Sequence, residues 1–309
     1  MNEYLKSILN VATCGDCVEV MKKIPENSIN LIVTSPPYNV GIKYDVYKDD
    51  ELTMEQYFEW CSVWLKECYR VLASDGRIAL NVLNEANVKG QGRFMMSAEF
   101  YHIMRKIGFN FFGLVDLTED TPHRVKLTSW GSWLSSSGPY IYNPKECVLL
   151  FYKEKHIRER PGISWMPVGE EMITDPESGK VRKKLLYTDE QKNEFKDLVF
   201  ALWKYTAEKQ CLTKACFSPD IPRNAIKILS YENDIVLDPF GGSGTTALMA
   251  EVLYRQWISI DISQNYTDVT NQRVRQWRWG KKEINLSNSE MVKGIHTISS
   301  SVISKSLSK

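Results

Sequence analysis

The run Ile235-Val236-Leu237-Asp238-Pro239-Phe240-Gly241-Gly242-Ser243-Gly244-Thr245-Thr246 decides the fold class of this chain. A short apolar strand pattern ends on an acid, a glycine-rich turn follows, and the helix-like stretch Ala247–Leu253 comes next. Strand, glycine turn and helix in that order let a ligand approach the backbone at the carboxyl end of an α/β sheet. A second strand pattern, Trp257–Asp261, ends on another acid 19 residues beyond Gly242.

Three kinds of cofactor use such a turn. A P-loop requires Gly-Lys-Ser/Thr, and Thr245 stands where the lysine belongs, which excludes it. Gly242-x-Gly244-x-x-Ala247 matches the dinucleotide pattern G-x-G-x-x-A, with Asp261 near the position of the ribose-binding acid. An S-adenosylmethionine pocket needs the same ribose acid without a phosphate cradle. The turn by itself admits both.

Outward from this run, strand and helix signals alternate. Asn30 to Thr34 reads as a short buried strand that stops at Pro36-Pro37. Residues 54–72 carry Tyr57, Cys61, Trp64, Leu65, Cys68 and Leu72 at helical spacing, Gly76 ends that helix, and Arg77 to Val82 resumes a strand. A helix over 97–107 and strands over 111–117 and 146–153 follow; a helix over 221–229 and a last helix from Gln264 flank the glycine run. The alternation predicts an α/β, Rossmann-like architecture: a mostly parallel sheet with helices on both faces. Between Glu154 and Cys216 the pattern lapses, with Pro161, Gly162, Pro167, Gly169, Pro176 and Gly179 among mixed charges, which predicts a loop-rich insertion. Residues 1–285 read as one catalytic domain, and 286–309, rich in Ser and Lys, as a disordered tail.

Bulk properties set limits. The 309 residues are 43% hydrophobic and 25% charged, the balance of an ordinary globular protein. A net charge of +1 gives little support to a nucleic-acid partner, but local charge rather than the total governs such binding. Seven cysteines argue against a disulfide framework; Cys14 and Cys17 have C-x-x-C spacing, yet without a second pair and with only four histidines they read as reduced thiols of a cytosolic protein, not metal ligands. No apolar run approaches membrane-spanning length, and the N-terminus lacks a signal-peptide core.

Thr34-Ser35-Pro36-Pro37-Tyr38-Asn39 lies at a strand end, the expected place for an active site in such a sheet. Its prolines fix φ and its Ser35 and Tyr38 supply a hydroxyl and a flat ring, although in isolation the hexapeptide is also an ordinary turn. Taken with residues 238–246 it resembles the amino-methylating DNA methyltransferases, whose catalytic motif is (Ser/Asn/Asp)-Pro-Pro-(Tyr/Phe/Trp) and whose cofactor motif is Asp-Pro-Phe-x-Gly-Ser-Gly-Thr-Thr. The catalytic motif precedes the cofactor motif, as in the β class. Gly15-Asp16-Cys17, Arg70-Val71-Leu72 with Gly76-Arg77, and Phe217 to Ile226 extend the similarity over about residues 12–280.

The resemblance implies an S-adenosylmethionine-dependent enzyme. Asp238, Phe240, Gly242 and Gly244 would surround the methionine and sulfonium end, Asp261 (where the family usually has Glu) would meet the ribose, and Asp16 the adenine. Ser35, Pro36, Pro37 and Tyr38 would form the catalytic site: the Ser35 hydroxyl and the Pro36 carbonyl accepting the amino hydrogens, Tyr38 stacking on a base flipped out of double-stranded DNA. No Pro-Cys dipeptide supplies a nucleophile for ring-carbon methylation. Ser-Pro-Pro-Tyr usually accompanies cytosine-N4 methylation and Asp-Pro-Pro-Tyr adenine-N6 methylation, so the implied activity is sequence-specific cytosine-N4 methylation beside a cognate restriction endonuclease in a prokaryotic cytoplasm. Dimers occur in that class, with no interface legible here. Adenine-N6 methylation is the nearest alternative; an NAD-dependent oxidoreductase and a non-catalytic DNA-binding protein are others.

Residues 154–216 are the candidate target-recognition region, with Lys153, Lys155, Arg158, Arg160, Arg182, Lys183 and Lys184 as phosphate contacts, although for each a solvated surface is the simpler reading. Arg273, Arg275, Arg278, Lys281 and Lys282 around Trp277 and Trp279 read as helix surface. His123, Arg124 and Lys126 before Trp130-Gly131-Ser132 are placed to approach the flipped base.

Overall fold

The computed structural model describes residues 2–46, 52–119, 135–138, 143, 145–206 and 217–283. In chain order these form α1 (Glu3–Ile8), β1 (Ala12–Cys14), α2 (Cys17–Met21), β2 (Ile29–Thr34), α3 (Met54–Val71), β3 (Leu72–Leu83), β4 (Ala86–Val88), β5 (Gly92–Phe94), α4 (Met96–Ile107), β6 (Asn110–Glu119), β7 (Glu146–Tyr152), β8 (Gly169–Thr174), β9 (Val181–Leu186), α5 (Asp189–Val199), β10 (Leu202–Tyr205), α6 (Asp220–Leu229), β11 (Ile235–Asp238), α7 (Thr245–Val252), β12 (Gln256–Asp261) and α8 (Gln264–Glu283).

Eight strands make one sheet in the order β1-β12-β11-β2-β3-β7-β6-β10. Only β7 runs against its neighbours; every other pairing is parallel. All six residues of β2 are buried, as a strand covered on both faces requires. One face packs under α3 and α4, where Tyr57, Trp64, Phe100 and Phe151 meet Ile32 and Leu80. The other packs Val236, Leu31 and Trp257 beneath residues of α6, α7 and α8. A capping box starts α3: the Gln56 amide donates to Thr53, and the Thr53 amide donates to the Gln56 side chain. The expected Rossmann-like architecture is the one observed.

Chain order reverses between β2 and β11. From β2 the chain continues to β3 on one side, whereas β11 continues to β12 on the other, and Leu237 lies opposite Ile32. Ligands bind at such a switch point, outside the carboxyl ends of the two strands.

Two expectations need correction. The stretch 154–216 is not simply loop-rich: it holds the β8–β9 hairpin, α5 and the edge strand β10, which extends the main sheet parallel to β6. The hairpin was hidden because both its faces are largely exposed, so its strands show no apolar alternation. Its order rests on backbone pairing and on the cross-strand ion pairs Lys183–Glu170 and Lys184–Glu171. The signal for α5 was a second capping box, Thr188 with Gln191. The second correction concerns β3, which starts at Leu72 directly after α3 and passes through Gly76; a Cβ on Gly76 would lie 2.9 Å from the Ala73 carbonyl oxygen.

Several residues expected as phosphate contacts or as helix surface also turn out to be internal. Lys153 is buried, donating to Asn27 Oδ1 at 2.8 Å and to the Leu72 carbonyl at 2.9 Å. Arg158 is pinned between Asp75 and Asp234. Arg273 is buried and donates to the Ser243 carbonyl, and Trp277 belongs to the core. Arg160, Arg182 and Arg275 remain exposed. His123, Arg124, Lys126 and Trp130 to Ser132, the side chains of Lys281 and Lys282, and the segment 286–309 lie outside the described residues.

Candidate active site

The Thr34 hydroxyl at the end of β2 donates to Asp238 Oδ1 at the end of β11, 2.7 Å across 204 residues of chain. Around this contact opens a cavity of about 410 Å³. Its walls bring together Ser35, Pro37, Tyr38, Asp16, Asp238, Phe240, Gly242 and Asp261, eight of the ten residues expected from sequence. Pro36 is buried and Gly244 sits at the start of α7; neither lines the cavity.

The glycine turn forms one end. Gly244 has φ 78°, and a Cβ there would lie 2.4 Å from Thr270 Cγ2, so its part is to let the turn enter α7 against α8. A Cβ on Gly241 would lie 1.9 Å from Ser259 Oγ. Asp261 clamps the turn, accepting from the Gly242 amide (2.8 Å) and the Ser263 amide (2.8 Å). Asp16 follows β1 and caps α2 through the Val18 and Glu19 amides while facing the cavity. Phe240 is held by Trp60 and Trp64, with ring centroids 5.6 and 5.1 Å away.

The other end is built of side chains. Tyr38 is buried, and its hydroxyl donates to the Asn81 carbonyl (3.1 Å). With the Tyr38 hydrogen directed to that carbonyl, Ser35 donates to Tyr38 across 2.7 Å and keeps its lone pairs as acceptors, one of them toward Asn81 Nδ2. Asn81 Nδ2 lies 3.4 Å from Ser35 Oγ and 3.3 Å from the Tyr38 hydroxyl, and donates to Glu146 Oε2 at 2.6 Å. The Pro37 carbonyl is occupied by the Tyr57 hydroxyl at 2.7 Å. Sequence reasoning passed over Asn81, Glu146 and Tyr57. Asn81 left one signal: it is the single polar residue inside the apolar run Ile78–Val82.

Charge is one-sided. Asp16, Asp45, Glu146, Asp238 and Asp261 line the cavity, and no Lys, Arg or His does so among the described residues. Burial pushes Asp238 up to about 6 against the pull of the Thr34 hydrogen bond, and burial likewise raises Asp261 and Glu146. Such a cleft attracts a cation and repels a pyrophosphate. The choice that the glycine turn left open therefore falls to S-adenosylmethionine, whose sulfonium and ammonium are positive, over a dinucleotide. Cys14 is exposed and Cys17 buried, with burial pushing the Cys17 thiol up to about 12.

Comparison with known proteins agrees. Residues 29–272 match the family model described as DNA methylase, of the N6/N4 type. The chain belongs to this DNA methylase family. Its relatives include the Type II methyltransferase M.HinfI of Haemophilus influenzae, 29% identical over 94% of this chain and 75% of that protein. M.MjaVI of Methanocaldococcus jannaschii, another Type II methyltransferase, is 40% identical over 42% of this chain; that match spans 65% of the relative's length. Among solved structures, a DNA modification methylase of Thermus thermophilus complexed with S-adenosyl-L-methionine shares the fold at a TM-score of 0.60 and 21% identity, over 86% of this chain and 93% of that one. The PvuII DNA methyltransferase, described as cytosine-N4-specific, does so at 0.56 and 19%, over 93% and 91%. S-Adenosylmethionine is the cofactor of this amino-methyltransferase family. No helix among the described residues is long and apolar enough to cross a membrane.

Proposed function

We propose that this chain transfers a methyl group from S-adenosylmethionine to the exocyclic N4 amino group of a cytosine flipped out of duplex DNA, as the modification partner of a restriction endonuclease. The observation that carries the reading is one cavity holding, side by side, a carboxylate-lined glycine turn and the hydroxyl pair Ser35–Tyr38. When bound, the cofactor supplies an already activated methyl, so the chain's own work is to orient and stabilise.

Asp238, Asp261 and Asp16 hold the cationic cofactor, and Phe240 packs beside it. Attack by the amino nitrogen pulls its lone pair out of conjugation, and positive charge builds there. Ser35, its hydrogen committed to Tyr38, offers a preorganised lone pair to one amino hydrogen; removing one such group typically costs about 10²–10³ in rate. Buried inside a duplex the amino group is out of reach, so the base must enter this cavity unstacked. Cytosine is favoured over adenine because position 35 is serine rather than aspartate. Arg160 and Arg182, exposed in the 154–216 region, are candidates for phosphate contacts.

The test is transfer of labelled methyl from S-adenosylmethionine to PCR-amplified genomic DNA, followed by nucleoside analysis. Labelled N4-methylcytosine is the expected product. N6-methyladenine would move the reading to the adenine branch, and absence of label would overturn it.

A further inference from the structure

Glu146 opens β7 opposite Leu83 of β3, and its carboxylate faces the same cavity as Ser35 and Tyr38. One oxygen is tied to Asn81 Nδ2 at 2.6 Å, and that amide reaches Ser35 Oγ and the Tyr38 hydroxyl in turn. Glu146 thus stands two hydrogen bonds from the serine at the base end. The other carboxylate oxygen makes no hydrogen bond among the described residues, and Asn81 Oδ1 is buried without a partner.

A half-buried carboxylate without a counter-ion among the described residues costs stability, so packing alone gives no reason to keep one here. The groups that line the cavity with it are themselves acidic or neutral. Tyr38 comes from the end of β2, Tyr44 and Asp45 from the loop beyond, Asp238 from the end of β11, and Asn81 from β3. Beside it in the sheet, Cys147 of β7 pairs with Asp116 of β6. No Lys, Arg or His lines the cavity among the described residues. Beyond the charge of the bound cofactor, the positive charge to be met at the base end is the one that forms on the amino nitrogen during methyl transfer. Where an aspartate in place of Ser35 would have put an anion against the amino group, serine leaves that charge unmet, and Glu146 is the anion that hydrogen bonds link to that serine through Asn81.

We propose that Glu146 is a catalytic residue: its carboxylate faces the amino nitrogen of the target base, stabilises the positive charge formed there and takes the proton released. As the nitrogen bonds to the methyl carbon, the S–CH3 bond breaks and its electron pair stays on sulfur, leaving a neutral thioether. The methylated nitrogen then carries the positive charge. Its N–H bond breaks, the bonding pair returns to nitrogen, and the proton passes to Glu146, which releases it to solvent as product leaves. Burial holds the Glu146 carboxyl above the usual carboxylate range, against the lowering effect of the Asn81 hydrogen bond, which suits a group that must accept a proton near neutral pH.

This inference rests on the proposed amino-methyl transfer, and one experiment separates the two. Single-turnover methyl transfer to PCR-amplified genomic DNA is followed from pH 5 to 9 at saturating S-adenosylmethionine, which keeps the ionisation of Asp238 at the cofactor end out of the profile. Wild type and Glu146→Gln are compared, with Kd for S-adenosylmethionine measured on both. Glutamine can still accept from Asn81 Nδ2, so it preserves the position of Asn81 while removing the proton acceptor. The expected result is a wild-type rate that falls as pH falls through the Glu146 ionisation. Glu146→Gln should be slower by about 10²-fold or more, with that acid limb gone and cofactor affinity unchanged. Glu146→Gln with the wild-type rate, or with the wild-type acid limb, overturns the inference and leaves the function standing. A wild-type chain that transfers no label overturns both.

Discussion

The two ends of the cavity are made in different ways. The cofactor end is mostly backbone: one contiguous stretch, Asp238 to Gly244, is bent by glycines and clamped by Asp261 through the Gly242 amide. The base end is side chain, with Ser35 from the end of β2, Asn81 from β3 and Glu146 from β7 joined by hydrogen bonds. A backbone cradle tolerates little change of shape but much change of neighbouring side chains. A side-chain network is the reverse, because each member is held only by its partners. Function at the first end should therefore fail as binding, and at the second as rate.

The largest effect expected from this division is Ser35→Ala. Methyl transfer should fall by about 10²–10³ while Kd for S-adenosylmethionine, measured by calorimetry, stays within about twofold. Lost binding with an unchanged rate would break the division. Tyr57→Phe, which frees the Pro37 carbonyl of its 2.7 Å hydrogen bond, should act on the same end and lower kcat more than it raises KM for the cofactor.

Asp238→Asn should do the converse, weakening S-adenosylmethionine by about tenfold, as loss of a charge-assisted contact of about 1.4 kcal/mol would. Its effect on stability carries a definite sign. The folded carboxyl titrates at about 6, above its ordinary value, so the folded state holds the proton longer than the unfolded one. Stability contributed by this group is thus lost as pH rises from about 4 to 6. At pH 7.5 the asparagine variant should melt no lower than wild type; a clear drop in Tm would mean that the carboxylate supports the fold rather than the ligand.

Gly244→Ala should lower stability by about 1–3 kcal/mol, because a non-glycine residue at φ 78° is strained and its Cβ would press on Thr270. Thermal denaturation with and without cofactor measures both consequences; an unchanged Tm would show that α7 and α8 separate freely. The smallest effect is one of pH. Cofactor affinity should decline a few-fold between pH 7 and pH 5 as Asp238 is neutralised through about 6, and the decline should be absent in Asp238→Asn.

Much of the cofactor end was legible because its information is local. Glycines near an acid at a strand end declare their turn within a dozen residues, and α3 announced itself by its apolar stripe. The base end was legible only at Ser35 to Tyr38. Asn81 and Glu146 belong to strands whose neighbours in the sheet are not their neighbours in sequence, so no window of residues shows them facing one serine. Charge misled for a related reason. Lys153, Arg158 and Arg273 look in sequence like surface cations, and each is buried against partners from distant segments.

The amino-acid sequence by itself determined the alternation of strands and helices, the glycine turn and the family's two motifs, since each follows from interactions within a few residues. The order of strands was decided only in three dimensions. By setting β2 beside β11, the sheet brings Thr34 to Asp238 and fuses two motifs 204 residues apart into one cavity. The same packing excluded every basic side chain from the described walls of that cavity, and this imbalance of charge selected a cationic cofactor where the turn alone could not.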